Sequence, residues 1–423
     1  MDYRVLIFLF IEASLAFILL YFNGAVRSAS EILISSVLIL TAFAVRACFF
    51  DYETTDYQWF LTDWVKYYKV NGGFRALADS VGNYNIPYLY FLSLFSYSSI
   101  RDLYLIKLLS CLFDVILAYS CMKILQNTGC SNRRSLVCFF LVLFLPTVII
   151  NGSVWGQCDS IYSSLAFWGI AIGTGGNGSR DRFRPILSMV CIALSFGFKL
   201  QAVFIMPAYL ILWIWKKYKW YDFAVFPLTY LLIILPAVFL GRPIKDAVML
   251  YADQANTVGA GLNYNSPSLT AFIHRSVDSQ NVSLICILLA FLIMIILLFV
   301  GIKLRNKLSS QGFLMLTLLM VLLIPFLLPH MHDRYFFLAD CLTVAFSCMT
   351  ADNPFESVLR IISAVLMQFA SLICYLAYLK TYYLKFGNTY LTSDKGAFAV
   401  LICIFIVAVC LIFSKRRISS DNA

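Results

Sequence analysis

The sequence predicts an all-α, polytopic integral membrane protein with about 12–14 transmembrane helices. We expect the helices to form one domain over residues 1–423. Two observations support this fold class. The chain is 61% hydrophobic and only 13% charged, and apolar runs long enough to cross a bilayer recur along its whole length. Each span should be helical, because backbone polar groups in lipid must pair within their own segment.

The apolar runs define the candidate spans in order. The first run is interpreted as a retained span rather than a signal peptide, because Met1–Arg4 carries little positive charge and no small-residue cleavage motif follows. A shorter run, Tyr88–Tyr97, cannot cross alone and is expected to lie at the interface or to dip into the membrane. The candidate spans are 5–22, 31–49, 102–124, 134–151, 153–173, 184–199, 201–216, 221–241, 282–303, 312–329, 334–350, 357–379 and 396–414.

The net charge of +10 could suggest a nucleic-acid partner, but the positions of the basic residues argue against one. They cluster in short loops, as the positive-inside bias of membrane proteins produces. These loops are therefore predicted to be cytoplasmic, and the N-terminus is extracytoplasmic if the first two runs both cross. The thirteen cysteines lie mostly inside apolar runs, where they behave as small buried residues. The basic segments are 125–133, 174–183, 217–220, 304–311 and the C-terminal tail.

The opposite face collects a second set of segments, several of which place polar or charged groups directly at helix ends. We expect them to form a polar chamber on the extracytoplasmic side. They are the long loop 50–86, the junction 151–160, the turn 196–201, the second long loop 242–281, the junction 330–334 and the loop 380–395.

The loop 50–86 contains three acids that are candidates for a general base. Its segment "YQWFLTDWVKYYKV" has apolar and aromatic residues at helical spacing, which predicts an amphipathic helix on the membrane surface, ended by Asn71–Gly73. Asp51, Glu53 and Asp56 follow the second span closely. A carboxylate held there can accept a proton from a hydroxyl nucleophile. The alternative is that all three are solvated loop acids.

Two short motifs add polar groups to the same face. In "WGQCDS", Trp155, Gln157 and Asp159 enter a span, and an aspartate at that depth is costly unless it is paired, faces water or caps the helix. In "FGFKLQ", Lys199 and Gln201 occupy a turn on the outer face, against the positive-inside pattern. Lys199 either supplies a cation for an anionic head group or only snorkels to the interface.

The junction "HMHDR" is the densest cluster of titratable groups. His330, His332 and Asp333 could ligate a metal, but this spacing is weak evidence for a metal site. Arg334 is better interpreted as a phosphate clamp, since a guanidinium matches phosphate oxygens bidentately. The alternative is an interfacial anchor. A lipid-phosphate-linked substrate fits this chamber best, with its tail between spans and its phosphate near Arg334 and Lys199.

Six motifs in this order resemble the bacterial membrane mannosyltransferase-like proteins related to the GPI-anchor mannosyltransferases, within the GT-C superfamily. The resemblance covers residues from about 46 to 345. It implies a polyprenyl-phosphate-linked sugar donor, inverting transfer and an essential acid in the first outer loop. Asp56 in "YETTDY" matches that acid, and Asp51 is a second candidate. Thr54 and Thr55 are bulkier than the small residues that often precede this acid in the family. The motifs are "YETTDYQWFLTDWVKYYKVNGGFRAL", "NYNIPYLYFLSL", "LYLIKLLSCLFDVILAY", "SVWGQCDSIYSSL", "FGFKLQAVFIMP" and "MHDRYFFLAD".

The implied mechanism is a single displacement. Asp56 accepts the proton of an acceptor hydroxyl as it attacks the anomeric carbon, and the leaving lipid phosphate is held by Arg334, His332 and Lys199. No cofactor is required, because phosphate is a good leaving group; a divalent metal is possible but is not expected. The other polar side chains are assigned to substrate binding. They are Glu53, Trp155, Gln157, Asp159, Gln201, Asp333 and His330.

The expected partners are the lipid-linked donor, a glycan or glycolipid acceptor, membrane lipid, and a polyprenyl-phosphate glycosyltransferase and flippase of the same pathway. The expected location is a bacterial plasma membrane. One alternative is a transporter or flippase of an anionic lipid-linked sugar, although no internal repeat is found and the charges gather at one face. Another is a non-catalytic subunit for polysaccharide assembly.

Overall fold

The computed structural model describes residues 2–176, 182–216, 218–256, 261–273, 279–379 and 393–418. Within these ranges the chain is almost entirely helical, which confirms the predicted all-α, polytopic membrane fold. Most of the predicted loop 380–395 and parts of 174–183 and 242–281 lie outside the described residues. The helices are α1 Tyr3–Phe22, α2 Ala29–Ala47, α3 Thr62–Val70, α4 Ile86–Phe95, α5 Asp102–Asn127, α6 Asn132–Leu143, α7 Pro146–Ile149, α8 Asp159–Thr174, α9 Phe183–Phe198, α10 Met206–Trp215, α11 Val225–Phe239, α12 Ile244–Asn256, α13 Ser279–Leu304, α14 Ser310–Leu327, α15 Phe337–Cys348, α16 Pro354–Leu379 and α17 Ser393–Phe413.

Every predicted apolar run contains a helix, but not every helix is long enough to cross a membrane. In the described part of the chain, eight helices have the length and composition of a span: α1, α2, α5, α11 with the turn before it, α13, α14, α16 and α17. A ninth span would combine α6 with Pro146–Trp155, across a bend of 43°. The helices α9, α10 and α15 are shorter because irregular polar turns replace their ends. These turns carry several of the candidate site residues.

The N-terminal end of α1 lies at the same end of the bundle as the first long loop. The Arg4 guanidinium donates to Ser99 Oγ at 2.7 Å, just before α5 begins. This arrangement agrees with two crossings by α1 and α2 and with an N-terminus on the side of the polar chamber.

The first long loop folds as predicted around a helix. A π-helical turn, Tyr57–Leu61, continues into α3, and the helix ends at Asn71. Gly72 then adopts a left-handed conformation with φ +87°, which glycine reaches without a steric penalty. The loop returns to the bundle at Asn85, whose side chain accepts from the Ile86 N–H and starts α4.

A buried ion pair fixes the helices beneath this loop. Arg46 of α2 donates from Nε to Asp114 of α5 at 3.0 Å, and both side chains are fully buried. The Arg46 Nη2 also donates to the Leu143 carbonyl, and Ser160 Oγ of α8 donates to Asp114. Because a charge in the bilayer interior must be paired, these bonds position the start of α8.

A short parallel strand pair links the second long loop to the "HMHDR" junction. Strand β1, Asn263–Tyr264, pairs with β2, Met331–His332, in the register Asn263 to Met331 and Tyr264 to His332. His330 precedes β2 with a positive φ of 61°. Its backbone N–H donates to the Leu262 carbonyl at 2.8 Å. The junction is therefore held by the loop 261–273.

Candidate active site

A cavity of about 210 Å³ lies where the first long loop meets the ends of α8, α9 and α15. We call it the Asp56 cavity. Five of the site residues predicted from the sequence line it: Asp56, Gln157, Lys199, Gln201 and Arg334. The remaining lining residues are Phe60, Leu61, Trp64, Asn83, Tyr84, Asn85, Phe198, Leu200, Tyr251 and Tyr335.

The Asp56 carboxylate is held by three hydrogen-bond donors. Trp155 Nε1 and Gln157 Nε2 both donate to Oδ2, at 3.0 and 2.6 Å. The Tyr378 hydroxyl donates to Oδ1 at 3.2 Å. An ionised carboxylate accepts about four hydrogen bonds, so Asp56 keeps capacity for a ligand hydroxyl. Its side chain is 24% exposed, which leaves it accessible from the cavity.

The two threonines before Asp56 fix it against the opposite wall. Thr54 Oγ1 donates to the Trp155 carbonyl at 3.1 Å, and the hydroxyls of Thr55 and Tyr378 are 2.6 Å apart. Glycine or alanine at these positions could make neither bond, because both lack the hydroxyl. Thr54 and Thr55 therefore join the first outer loop to the junction that carries Trp155 and to α16.

The segment that carries Trp155 and Gln157 is shaped by backbone geometry. A second π-helical turn, Ile150–Trp155, ends at Gly156, where φ is +72° and glycine is favoured. Both the backbone and the side chain of Gln157 are hydrogen-bonded. Its backbone N–H donates to the Asn151 carbonyl at 2.9 Å, and its side-chain Oε1 accepts from the Tyr84 hydroxyl at 3.0 Å. The Gln157 amide is thereby oriented so that its Nε2 points at Asp56.

Arg334 lies between two carboxylates without a full hydrogen bond to either. Its Nη1 is 3.7 Å from Asp56 Oδ2, and its Nε is 3.8 Å from Asp159 Oδ2. Its guanidinium carbon is 5.3 Å from the Trp155 ring centroid, a cation–π distance. Among the described residues, its buried Nε has no hydrogen-bond partner. Arg334 therefore has an unsatisfied donor in a cavity wall.

Asp159 binds the cations of the site and does not line the cavity itself. Its side chain is 1% exposed and forms an ion pair with Lys199 Nζ, and Asn151 Nδ2 donates to it at 2.8 Å. The predicted cost of an aspartate at the top of a span is offset by these partners. Asp159 is placed to position Lys199 and Arg334 rather than to touch a substrate.

Asp51 and Glu53 lie outside the Asp56 cavity. Asp51 accepts a hydrogen bond of 2.5 Å from the Tyr104 hydroxyl, which lowers the pKa of Asp51. Glu53 forms an ion pair with Arg101 and accepts from Gln58 Nε2 at 3.0 Å. The structure therefore brings one of the three predicted loop acids to the cavity. That acid is Asp56.

The two histidines of "HMHDR" point to structural partners. His330 Nδ1 is 2.7 Å from the Gly261 carbonyl, and its Nε2 is 3.0 Å from Ser283 Oγ. The His332 ring stacks on Tyr264 at 4.7 Å between centroids. Burial, followed by the charges of Arg334 and Lys199, lowers the pKa of His332 to about 4. His332 is thus uncharged at neutral pH and adds no positive charge, so its contact with a donor phosphate remains a prediction.

Asp333 is buried behind Arg334. It is 5% exposed, and its Oδ1 has no hydrogen-bond partner among the described residues. Burial raises the pKa of Asp333 to about 7, and the neighbouring Arg334 charge opposes this. Asp333 does not line the cavity and contributes less than a full negative charge near neutral pH.

Tyr378 is the main site residue that the sequence motifs miss. It lies near the end of α16, more than 300 residues from Asp56, and its ring stacks on Trp155. A tyrosine at the end of an apolar run resembles an ordinary interfacial residue. Nothing in the local sequence distinguishes it.

Within the described ranges, no group of three or more His, Cys, Asp or Glu side chains is placed to hold a metal ion. A scan against models of protein families finds no match to this chain, and a search of curated proteins finds no significant match.

Proposed function

We propose that this protein is an inverting glycosyltransferase of the GT-C type in a bacterial plasma membrane. It moves a sugar from a polyprenyl-phosphate donor to a hydroxyl of an extracytoplasmic glycan, glycolipid or cell-envelope polysaccharide. One observation carries the proposal: a partly exposed carboxylate, Asp56, and an incompletely bonded guanidinium, Arg334, lie 3.7 Å apart in one cavity. A base and an anion-binding group are the two functions that this transfer requires.

The transfer proceeds in one displacement. The acceptor hydroxyl donates to Asp56 and attacks the anomeric carbon of the donor. The new bond forms as the bond between that carbon and the phosphate oxygen breaks, with its electron pair going to the phosphate. The hydroxyl proton passes to Asp56. Configuration at the anomeric carbon is inverted.

The charged groups around the cavity favour this displacement. Before the reaction, two carboxylates, Asp56 and Asp159, lie beside two cations, Lys199 and Arg334, and Asp333 next to Arg334 adds part of a negative charge. When Asp56 takes the proton, it becomes neutral and Arg334 loses one of its two counter-ions. The leaving phosphate gains negative charge at the same moment. Positive charge thus becomes available when the transition state develops negative charge.

The surroundings of the cavity suit a sugar. Amide side chains from Asn83, Asn85, Gln157 and Gln201 line it beside several aromatic rings, and the Gln201 Oε1 is buried without a hydrogen-bond partner among the described residues. An unpaired acceptor in a polar wall favours a ligand that carries hydroxyl donors. An apolar tail would extend from the cavity between the spans.

The test is transfer in liposomes that contain the purified protein, candidate polyprenyl-phosphate sugars and a glycolipid acceptor. We expect a new glycosylated product with wild type, formed at least about a hundredfold more slowly by Asp56→Asn. Donor movement between leaflets without product would indicate the flippase instead, and neither activity would indicate an assembly subunit. A donor synthase and a flippase would supply the substrate in the same pathway.

A further inference from the structure

A second cavity of about 210 Å³ lies beside the first outer loop. We call it the Lys66 pocket. Its charged lining residues are three cations, Lys66, Lys69 and Arg101, and one acid, Asp102. The remaining lining residues are Thr62, Val65, Phe95, Ser96, Ser98, Ser99 and Ile100. The lysine ammonium groups and the four hydroxyl groups offer hydrogen-bond donors to an anion such as a phosphate.

The Lys66 pocket and the Asp56 cavity lie on opposite faces of one helical segment. Phe60, Leu61 and Trp64 line the Asp56 cavity, whereas Lys66 and Lys69 line the pocket. The segment 57–70 is therefore a wall shared by both. Asp56 immediately precedes that wall.

The cations of the pocket differ in how firmly they are held. Arg101 forms an ion pair with Glu53 and lies 5.8 and 5.9 Å from the ring centroids of Tyr57 and Tyr104, so its guanidinium is preorganised. Lys66 makes one loose pair of 3.4 Å with Asp63, and both side chains are more than 60% exposed. Such a surface pair is weak, so Lys66 can turn to a ligand at little cost.

The acid in the pocket is already engaged. Asp102 Oδ1 accepts from the Tyr57 hydroxyl at 2.9 Å. Arg4, which is ion-paired with Asp2, also borders the pocket and donates to Ser99 Oγ at 2.7 Å. Because Glu53, Asp63 and Asp2 pair with cations around the pocket, an anion would be held by directed hydrogen-bond donors rather than by a net positive field.

An apolar surface continues from the rim of the pocket. Leu94 and Tyr97 flank the pocket residues Phe95 and Ser96 in sequence, and they are 50% and 62% exposed. Phe74 stacks on Tyr97 with ring centroids 5.6 Å apart. A phosphate in the pocket would thus have apolar surface beside it, which suits a ligand with one anionic end and one hydrocarbon end.

We propose that the Lys66 pocket binds the phosphate head group of an anionic membrane lipid, whose chains lie along Leu94 and Tyr97. The bound lipid holds the segment 57–70 at the membrane surface and so fixes the wall of the Asp56 cavity. This proposal does not depend on glycosyl transfer. It rests on the ammonium and hydroxyl donors that line the pocket and on its apolar rim.

The test measures lipid retention by native mass spectrometry. The full chain is placed in detergent micelles that contain phosphatidylglycerol and phosphatidylcholine. Wild type should retain phosphatidylglycerol preferentially, and Lys66→Ala/Lys69→Ala should weaken its binding by about tenfold or more, since each lysine near an anionic lipid contributes substantially. Lys66→Arg/Lys69→Arg should retain the lipid. The charge-matched control is Lys245→Ala/Lys395→Ala, at lysines outside the pocket.

Equal loss in the Lys245→Ala/Lys395→Ala control, or no loss in Lys66→Ala/Lys69→Ala, would overturn the proposal. Each variant is first checked for a single species and an unchanged thermal midpoint, and a variant that fails is replaced by Lys69→Gln. A second arm adds millimolar inorganic phosphate. Retention of the lipid supports the lipid site, whereas displacement would show a site for free phosphate instead.

Discussion

Trp155 and Tyr378 stack with ring centroids 4.5 Å apart and planes 12° apart, and each donates a hydrogen bond to a different oxygen of Asp56. The pair joins the junction 151–160 to α16 and orients the proposed base. Tyr378→Phe keeps the stack and removes one donor to the carboxylate.

The loss of rate in Tyr378→Phe should be small, whereas Tyr378→Ala should also lose the stack and slow transfer further. The measurement is the transfer rate of the three proteins, with the thermal midpoint of each as a check of the fold. A loss of rate that is matched by an equal loss of thermal stability would mean that Tyr378 supports the fold only.

Asp56→Asn should reduce transfer by about two orders of magnitude or more, because the amide cannot accept the proton. Asp51→Asn should change transfer little, since Asp51 lies outside the cavity and bonds to Tyr104. The exposed Asp63→Asn is the matched control. If Asp51→Asn proves the more damaging change, the base has been assigned to the wrong loop acid.

Arg334→Lys keeps the charge but loses the planar fork of donors, so it should weaken donor binding several-fold, and Arg334→Ala should weaken it more. The measurement is donor affinity, with and without a chelator. Equal affinity in all three proteins would leave Arg334 as an interfacial anchor. Loss of affinity on chelation, restored by a divalent ion, would point to a metal.

Asp159 should behave as the counter-ion of Lys199. Asp159→Asn leaves a buried cation without its carboxylate and should destabilise the fold by about 3–5 kcal/mol. Lys199→Met leaves the buried Asp159 carboxylate without its cation and should destabilise the fold by a similar amount. The double variant should be less destabilised than the sum of the two, which thermal unfolding in detergent can measure. Additive losses would argue against a direct interaction.

Asp333 and His332 should oppose each other in the pH dependence of stability. The pKa of Asp333 is raised to about 7, so its folded state holds a proton that the unfolded state loses, and stability falls as pH rises from about 4 to 7. The pKa of His332 is lowered to about 4, so its contribution rises with pH between about 4 and 6.5.

Wild type should therefore show a nearly flat thermal midpoint between pH 4.5 and 6.5. Asp333→Asn should show a midpoint that rises with pH in this window, and His332→Gln a midpoint that falls. Parallel curves for all three proteins would contradict the assignment of these two groups.

The sequence predicts the helices and the face of the site well, because both depend on the linear pattern. Hydropathy marks each apolar run, and polar residues at the ends of these runs meet on one face once the helices alternate in direction. Asp56, Gln157, Lys199, Gln201 and Arg334 all follow this logic and line the cavity.

What the sequence does not predict depends on contacts between distant segments. The lowered pKa of His332 follows from its burial and from the charges of Arg334 and Lys199, and the bonds of His330 follow from the path of the loop 261–273. Tyr378 reaches Asp56 because α16 ends beside it. No local pattern encodes these contacts. The pKa of His332 and the contribution of Tyr378 to the site therefore could not be derived from the motifs.

The strand pair between Asn263–Tyr264 and Met331–His332 also limits how this protein can change in evolution. Side chains on a strand alternate between its two faces, so one residue inserted next to Met331 would exchange the orientations of the side chains after it and move Arg334 away from Asp56. An insertion between α12 and β1 would leave the register intact. Homologous chains are therefore expected to vary in length before Gly261 but to keep a fixed spacing from His330 to Arg334.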